Sequence, residues 1–238
     1  MKHLILSAFV IVAAYPVLGQ QVINVDNTET NYRFLSGGGG DIPVGAIAFT
    51  NKYVSVSSGS PFFKSDFMKG VLFDAGGSRY VGLVRLNLID NQINFQNAQG
   101  QEVVCTTPIE QLNLTDTTNG TQYAFVRGDK LHPQDKALVG VWFQVLVNGP
   151  VSLCLQQHKS VRETIPYGTS TVDQQIVDVN YYFLMVHGNF IPLGSWKDLQ
   201  DQLPEKKDAV GAFIKEHHLK GHSDKDYIAV VNFYNGQP

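Results

Sequence analysis

Charge is scarce in this chain. Only 16% of its 238 residues are charged, 18 Lys and Arg against 21 Asp and Glu, for a formal net charge of −3. That balance gives no basic stripe of the kind nucleic acid requires, so nucleic acid is not expected as a partner. Cysteine is almost absent, with Cys105 and Cys154 the only two. They allow one disulfide in an exported chain, but a stapled scaffold uses far more, and nothing in their spacing fixes their proximity. Two small core hydrophobes is the plainer reading. Long apolar runs are missing after residue 19. Val139 to Val147 is interrupted by Gln144 and ends at Asn148-Gly149, well short of the about 20 residues a spanning helix needs. Gly-x-Ser-x-Gly and His-Glu-x-x-His are absent too, which excludes an esterase elbow and a zincin site.

The start of the chain is its most informative stretch. Lys2 precedes an apolar run from Leu4 to Ala14, and Val17-Leu18-Gly19 leads to Gln20. That is the layout of a secretory leader over 1–19, too short to span a bilayer. No Cys adjoins the cut to take a lipid. The expected destination is export, to a periplasmic or extracellular space. Removing the leader removes Lys2, which takes the charge from −3 to −4 and leaves 219 residues.

From 20 to 43 the chain is polar and runs into Gly37-Gly38-Gly39-Gly40, a flexible entry segment by its backbone entropy. A phosphate loop would need a Gly-Lys-Ser/Thr ending, which is missing. A period of two then sets in. Tyr80, Val84, Leu86 and Leu88 fall on one face, and Arg79, Arg85 and Asn87 on the other. Short β-type runs parted by Gly, Asn and Asp continue to Leu193. Connections so short force antiparallel pairing. The expected fold is therefore mainly β over 44–193, an antiparallel meander forming a sandwich or open barrel.

Asn148-Gly149 between Val139–Val147 and Pro150–His158 signals a hairpin, with both turn residues at positive φ. A two-residue loop puts Phe143 opposite Cys154 and Trp142 opposite Leu155. Val141, Phe143, Val145 and Cys154 then share one apolar face, and Trp142, Leu146, Leu153 and Leu155 the other. A hairpin apolar on both faces lies between two layers, which predicts a buried Cys154.

From Gly194 the period becomes helical. Ser195 with Asp198 forms a capping box, Pro204 suits a first turn, Gly221 is a break, and Ser223 with Asp226 caps a last helix. Val210, Phe213 and Ile214, then Tyr227, Val230, Val231 and Tyr234, form apolar stripes. Two or three short helices over 194–238 are expected to pack on the β domain.

Gly59-Ser60-Pro61-Phe62-Phe63, Phe67-Met68-Lys69-Gly70, Arg79-Tyr80, Leu86 and Ile93-Asn94-Phe95 form one set of motifs. Leu203-Pro204-Glu205-Lys206-Lys207, Phe213-Ile214, Asp226 and Asn232-Phe233-Tyr234-Asn235 form another. Together they resemble a group of uncharacterised exported β-rich proteins of Bacteroidota-type bacteria, over about Gly59 to Tyr234. The chain departs from that pattern at Leu88-Ile89-Asp90, where such proteins often carry Tyr-Asp. The resemblance implies export and a β-rich fold and brings no activity with it.

Chemistry is thin. His217, His218 and His222 are the one histidine cluster, and their spacing around Gly221 suits a solvated helix end better than a metal site. His132 and His187 read as turn residues. Neither a metal nor another cofactor is expected. Asp74, Asp90, Glu102 and Asp129 are the acids available to a paired-carboxylate hydrolase, though each also suits a turn or strand end. Phe62, Phe63, Trp142 and Leu155 are the candidate ligand-binding residues, able to line an apolar pocket or to plug the sheet. Asn113 and Asn119 match the glycosylation pattern. Three functions stay open: a non-catalytic secreted or envelope binding module, a carrier of a small hydrophobic ligand, and a hydrolase of an extracellular polymer. Expected partners are accordingly an envelope protein or a small hydrophobic molecule.

Overall fold

The computed structural model describes residues 33–34 and 45–236, apart from 166, 169 and 171. The leader and nearly all of the entry segment, Gly37–Gly40 included, lie outside the described residues. The strands are β1 (Arg33–Phe34), β2 (Ala46–Ala48), β3 (Val56–Ser58), β4 (Met68–Asp74), β5 (Arg79–Asn87), β6 (Gln92–Gln96) and β7 (Glu102–Cys105). They continue as β8 (Ile109–Thr115), β9 (Gln122–Arg127), β10 (Trp142–Val147), β11 (Val151–Thr164), β12 (Asp173–Val186) and β13 (Asn189–Leu193). The helices are α1 (Gly128–Leu131), α2 (Trp196–Asp201), α3 (Lys207–Glu216) and α4 (Asp224–Asn235). No helix among the described residues is long and apolar enough to cross a membrane.

All the strands join one large, mostly antiparallel sheet in the order β13-β12-β11-β10-β9-β8-β4-β5-β6-β7-β2. β1 and β3 add short parallel pairings to β5 and β12. Two meanders diverge from the β4–β8 pair, where Lys69 lies opposite Thr115 and Leu72 opposite Leu112. Between β7 and β8 the chain has only Thr106, Thr107 and Pro108. Four peptide steps reach at most about 14 Å, whereas four strand spacings in a flat sheet are about 19 Å. The β8-β4-β5-β6-β7 portion must therefore curl on itself, although the sheet does not close. Leu72, Val84, Leu86, Phe95, Leu112 and Leu114 fill the curl with no exposure. Asn87, placed on the polar face by its alternation, is buried as well: its Oδ1 accepts from the Ile89 and Asp90 amides.

The β10–β11 hairpin is covered on both faces, as its two apolar faces predict. Leu153, Leu184 and Val186 meet Leu199, Val210, Val230 and Val231 of the helical layer. On the opposite face Phe143, Cys154, Phe183 and Phe190 pack under Leu131, Leu138 and Val141. The register differs from the expectation by two residues, with Val145 opposite Cys154 and Gln144 opposite Leu155. A slip of two keeps every side chain on its face, whereas a slip of one would have reversed them. The cause is an irregularity between Val145 and Val147 and a loop longer than two residues.

Asn148 and Gly149 are not among the described residues at positive φ. Gly149 serves close approach instead, since a Cβ there would lie 2.7 Å from Asn235 Nδ2. Asn235, at the end of α4, accepts from the Val151 amide at 3.0 Å and donates to its carbonyl at 2.8 Å. The turn with both residues at positive φ is His187-Gly188, at 49° and 78°. In the tail, the Ser195 amide donates to Asp198 at 2.8 Å. The Asp226 carboxylate gathers the amides of Lys220, Gly221 and His222. Burial opposes its charge, but those amides hold its carboxyl below the usual range.

Asn235→Ala removes both bonds to Val151 and leaves a part-buried amide unpaired. It should cost about 2 kcal/mol in a urea-unfolding midpoint at unchanged helical circular dichroism. An unchanged midpoint would show that the hairpin loop needs no support from α4.

Candidate functional site

The curl leaves a cleft of about 470 Å³ where the β7–β8 link, the β5–β6 turn and the end of β9 meet. β9 ends in Arg127, and Gly128 then lets the chain fold back: a Cβ on Gly128 would lie 1.9 Å from the Leu138 carbonyl oxygen. The fold-back returns the chain at Trp142, directly opposite Arg127 in the β9–β10 ladder. The Arg127 guanidinium stands 5.6 Å from the Trp142 ring centre. Trp142 is 2% exposed, and its backbone N–H reaches Asn91 Oδ1 at 3.4 Å.

Two donors in this cleft have no hydrogen-bond partner among the described residues: Trp142 Nε1 and Arg127 Nε, both buried. The nearest acid to Arg127, Asp129, stands 3.9 Å from Nε, too far for a hydrogen bond. Glu110, the other carboxylate of the cleft, is held by Lys130 at 2.9 Å. Cys105 also lines the cleft, and burial pushes its thiol up to about 11, although a backbone hydrogen bond with Thr107 works in the opposite direction. A thiol kept protonated at neutral pH is a poor nucleophile.

Of the residues read from the sequence as ligand-binding candidates, only Trp142 lines this cleft. Phe62 is buried against Arg85, whose guanidinium lies 3.7 Å from its ring centre. Arg85 also binds Glu102 through two hydrogen bonds and stands 4.9 Å from the Phe67 ring. Phe63 points the other way and packs edge-on against Tyr123 and Phe125 at 4.9 and 5.0 Å. Leu155 is buried within the sheet between Gln144 and Tyr182. The four therefore do not converge.

Three of the acids are committed to local structure. Asp74 takes the Ser78 amide and the Tyr80 hydroxyl, at 2.8 and 2.7 Å. Asp90 takes Asn87, Lys52 and Tyr53. Glu102 takes Arg85 and Asn94. Asp129 alone lies in the cleft, beside Glu110, which the sequence reading did not single out. Arg127 was not singled out either, although its signal was present in Phe125-Val126-Arg127-Gly128-Asp129, where opposite charges flank a glycine at a strand end.

No group of three or more His, Cys, Asp or Glu among the described residues is arranged to hold a metal. A second hollow of about 240 Å³ lies between His187 and α2, with His187 Nε2 3.9 Å from Glu205. Cys105 and Cys154 are both free thiols. No protein family, characterised protein or solved structure compared with the chain matches it.

Burial pushes the Cys154 thiol up to about 12. In folded protein at pH 8 iodoacetamide should therefore label Cys105 slowly and Cys154 only after denaturant is added. Rapid labelling of Cys154 under native conditions would contradict its place between the two layers.

Proposed function

We propose that the protein is an exported, non-catalytic binding module that takes a small polar ligand in the Trp142–Arg127 cleft. The observation that carries this is the pair of donors, Trp142 Nε1 and Arg127 Nε, buried and without hydrogen-bond partners in two residues that line the cleft. Buried donors are nearly always satisfied, and an unpaired one costs roughly 1–3 kcal/mol. A ligand oxygen recovers that cost on binding.

A carrier of greasy cargo fits less well. Phe62, Phe63 and Leu155 are taken up by the packing described above, and the cleft that Trp142 lines carries charged and polar groups. Export rests on the leader, and the envelope or the cell exterior is where such a ligand would be met. One observation favours a second reading: Glu110 and Asp129 share the cleft, as two carboxylates would in a hydrolase of an extracellular polymer. Lys130 already neutralises Glu110, so the binding function is preferred.

Thermal-shift screening of the wild type and Trp142→Phe tests this, with a panel of amino acids, small carboxylates, oligosaccharides and fatty acids. Phe keeps an aromatic ring at the site and removes the N–H, with a smaller side chain in the core. A ligand that raises the Tm of the wild type should bind the variant about tenfold more weakly, one hydrogen bond's worth. Equal affinity in the two proteins, or stabilisation by fatty acids alone, overturns the proposal. Cleavage of an oligosaccharide that stops in Asp129→Asn would move the assignment to the hydrolase.

A further inference from the structure

Taking the cleft as a binding site, a step that rests on the function proposed above, we infer that its ligand is held by a carboxylate. The carboxylate sits against the Arg127 guanidinium and the Trp142 indole N–H.

The balance of donors and acceptors argues for this. Arg127 Nε and Trp142 Nε1 have no hydrogen-bond partner among the described residues. Asn91 turns its Oδ1 to the Trp142 backbone N–H, so that acceptor is already engaged. On the acceptor side Glu110 is already bound by Lys130 at 2.9 Å. Asp129 is 47% exposed, faces water, and does not hydrogen-bond Arg127 at 3.9 Å. Donors are thus in surplus, and one of them belongs to a permanent cation whose nearest counter-charge, Asp129, stands 3.9 Å away without a hydrogen bond. A carboxylate supplies the missing acceptors in the right form: two oxygens for separate donors, and a charge that makes each bond stronger than a neutral one.

Other ligand classes match less of this wall. A sugar ring would use an open aromatic face, but the guanidinium stands over the indole. A hydrocarbon would leave both donors unpaired. A cationic ligand would meet Arg127 directly.

The chain contains only two tryptophans, Trp142 and Trp196. A ¹H–¹⁵N spectrum of the purified protein therefore carries two indole N–H signals, assigned with Trp142→Phe. The probes are acetate, succinate and citrate, compared with acetamide, succinamide, glucose and inorganic phosphate in a carboxylate-free buffer. At least one carboxylate should move the Trp142 signal downfield in a saturable way and leave that of Trp196, outside the cleft, in place. Arg127→Gln should weaken that carboxylate about tenfold or more, with the Trp196 signal unchanged as proof of folding.

If acetamide, succinamide, glucose or phosphate moves the Trp142 signal as strongly, the carboxylate assignment fails while the cleft survives as a binding site. If no probe of either kind moves it, both the assignment and the binding function fall.

Discussion

The three-residue link between β7 and β8 is the constraint on which the rest of the structure depends. It leaves the sheet no choice but to curl, because the chain must return from the far side of β4 within the reach of four peptide steps. The curl creates an interior, filled by Leu72, Val84, Phe95 and Leu112. It also draws the link itself against the β5–β6 turn and the end of β9, and the cleft is the space left where those pieces meet. Core and site are two results of one short connection.

Arg85 secures the open side of that curl. It bonds Glu102 on β7 and the Ser65 carbonyl in the approach to β4, with Phe62 and Phe67 close about the guanidinium. The charge is largely removed from water but fully met, which is what keeps a buried ion pair from being a liability. At the other end the helical layer locks onto the β10–β11 hairpin through Asn235, and Gly149 exists to let that side chain in.

Much of this was legible in the chain. Strand alternation, the capping residues Ser195 and Asp198, and the apolar stripe Tyr227, Val230, Val231 and Tyr234 are local signals, and local physics set them. The hairpin's faces survived a wrong register because side chains alternate with period two. Pairings distant in sequence were not legible. Nothing near Leu112 announces Leu72 as its neighbour, and nothing near Trp142 announces Asn91. Phe62 and Phe63 show the limit most clearly. Adjacent residues in an extended segment point to opposite sides, so one went to Arg85 and the other to Tyr123, and no single pocket could hold both. The Trp142–Arg127 pair depends on the fold-back at Gly128, a close approach that composition does not reveal.

The central claim is that the cleft exists to present unpaired donors to a ligand. A high-resolution crystal structure of the protein isolated gently from its own source tests it most directly. The account predicts density from a bound molecule, with a non-protein oxygen about 2.7–3.2 Å from Trp142 Nε1. An indole N–H bonded to a protein acceptor, in a cleft closed over by side chains, would contradict it.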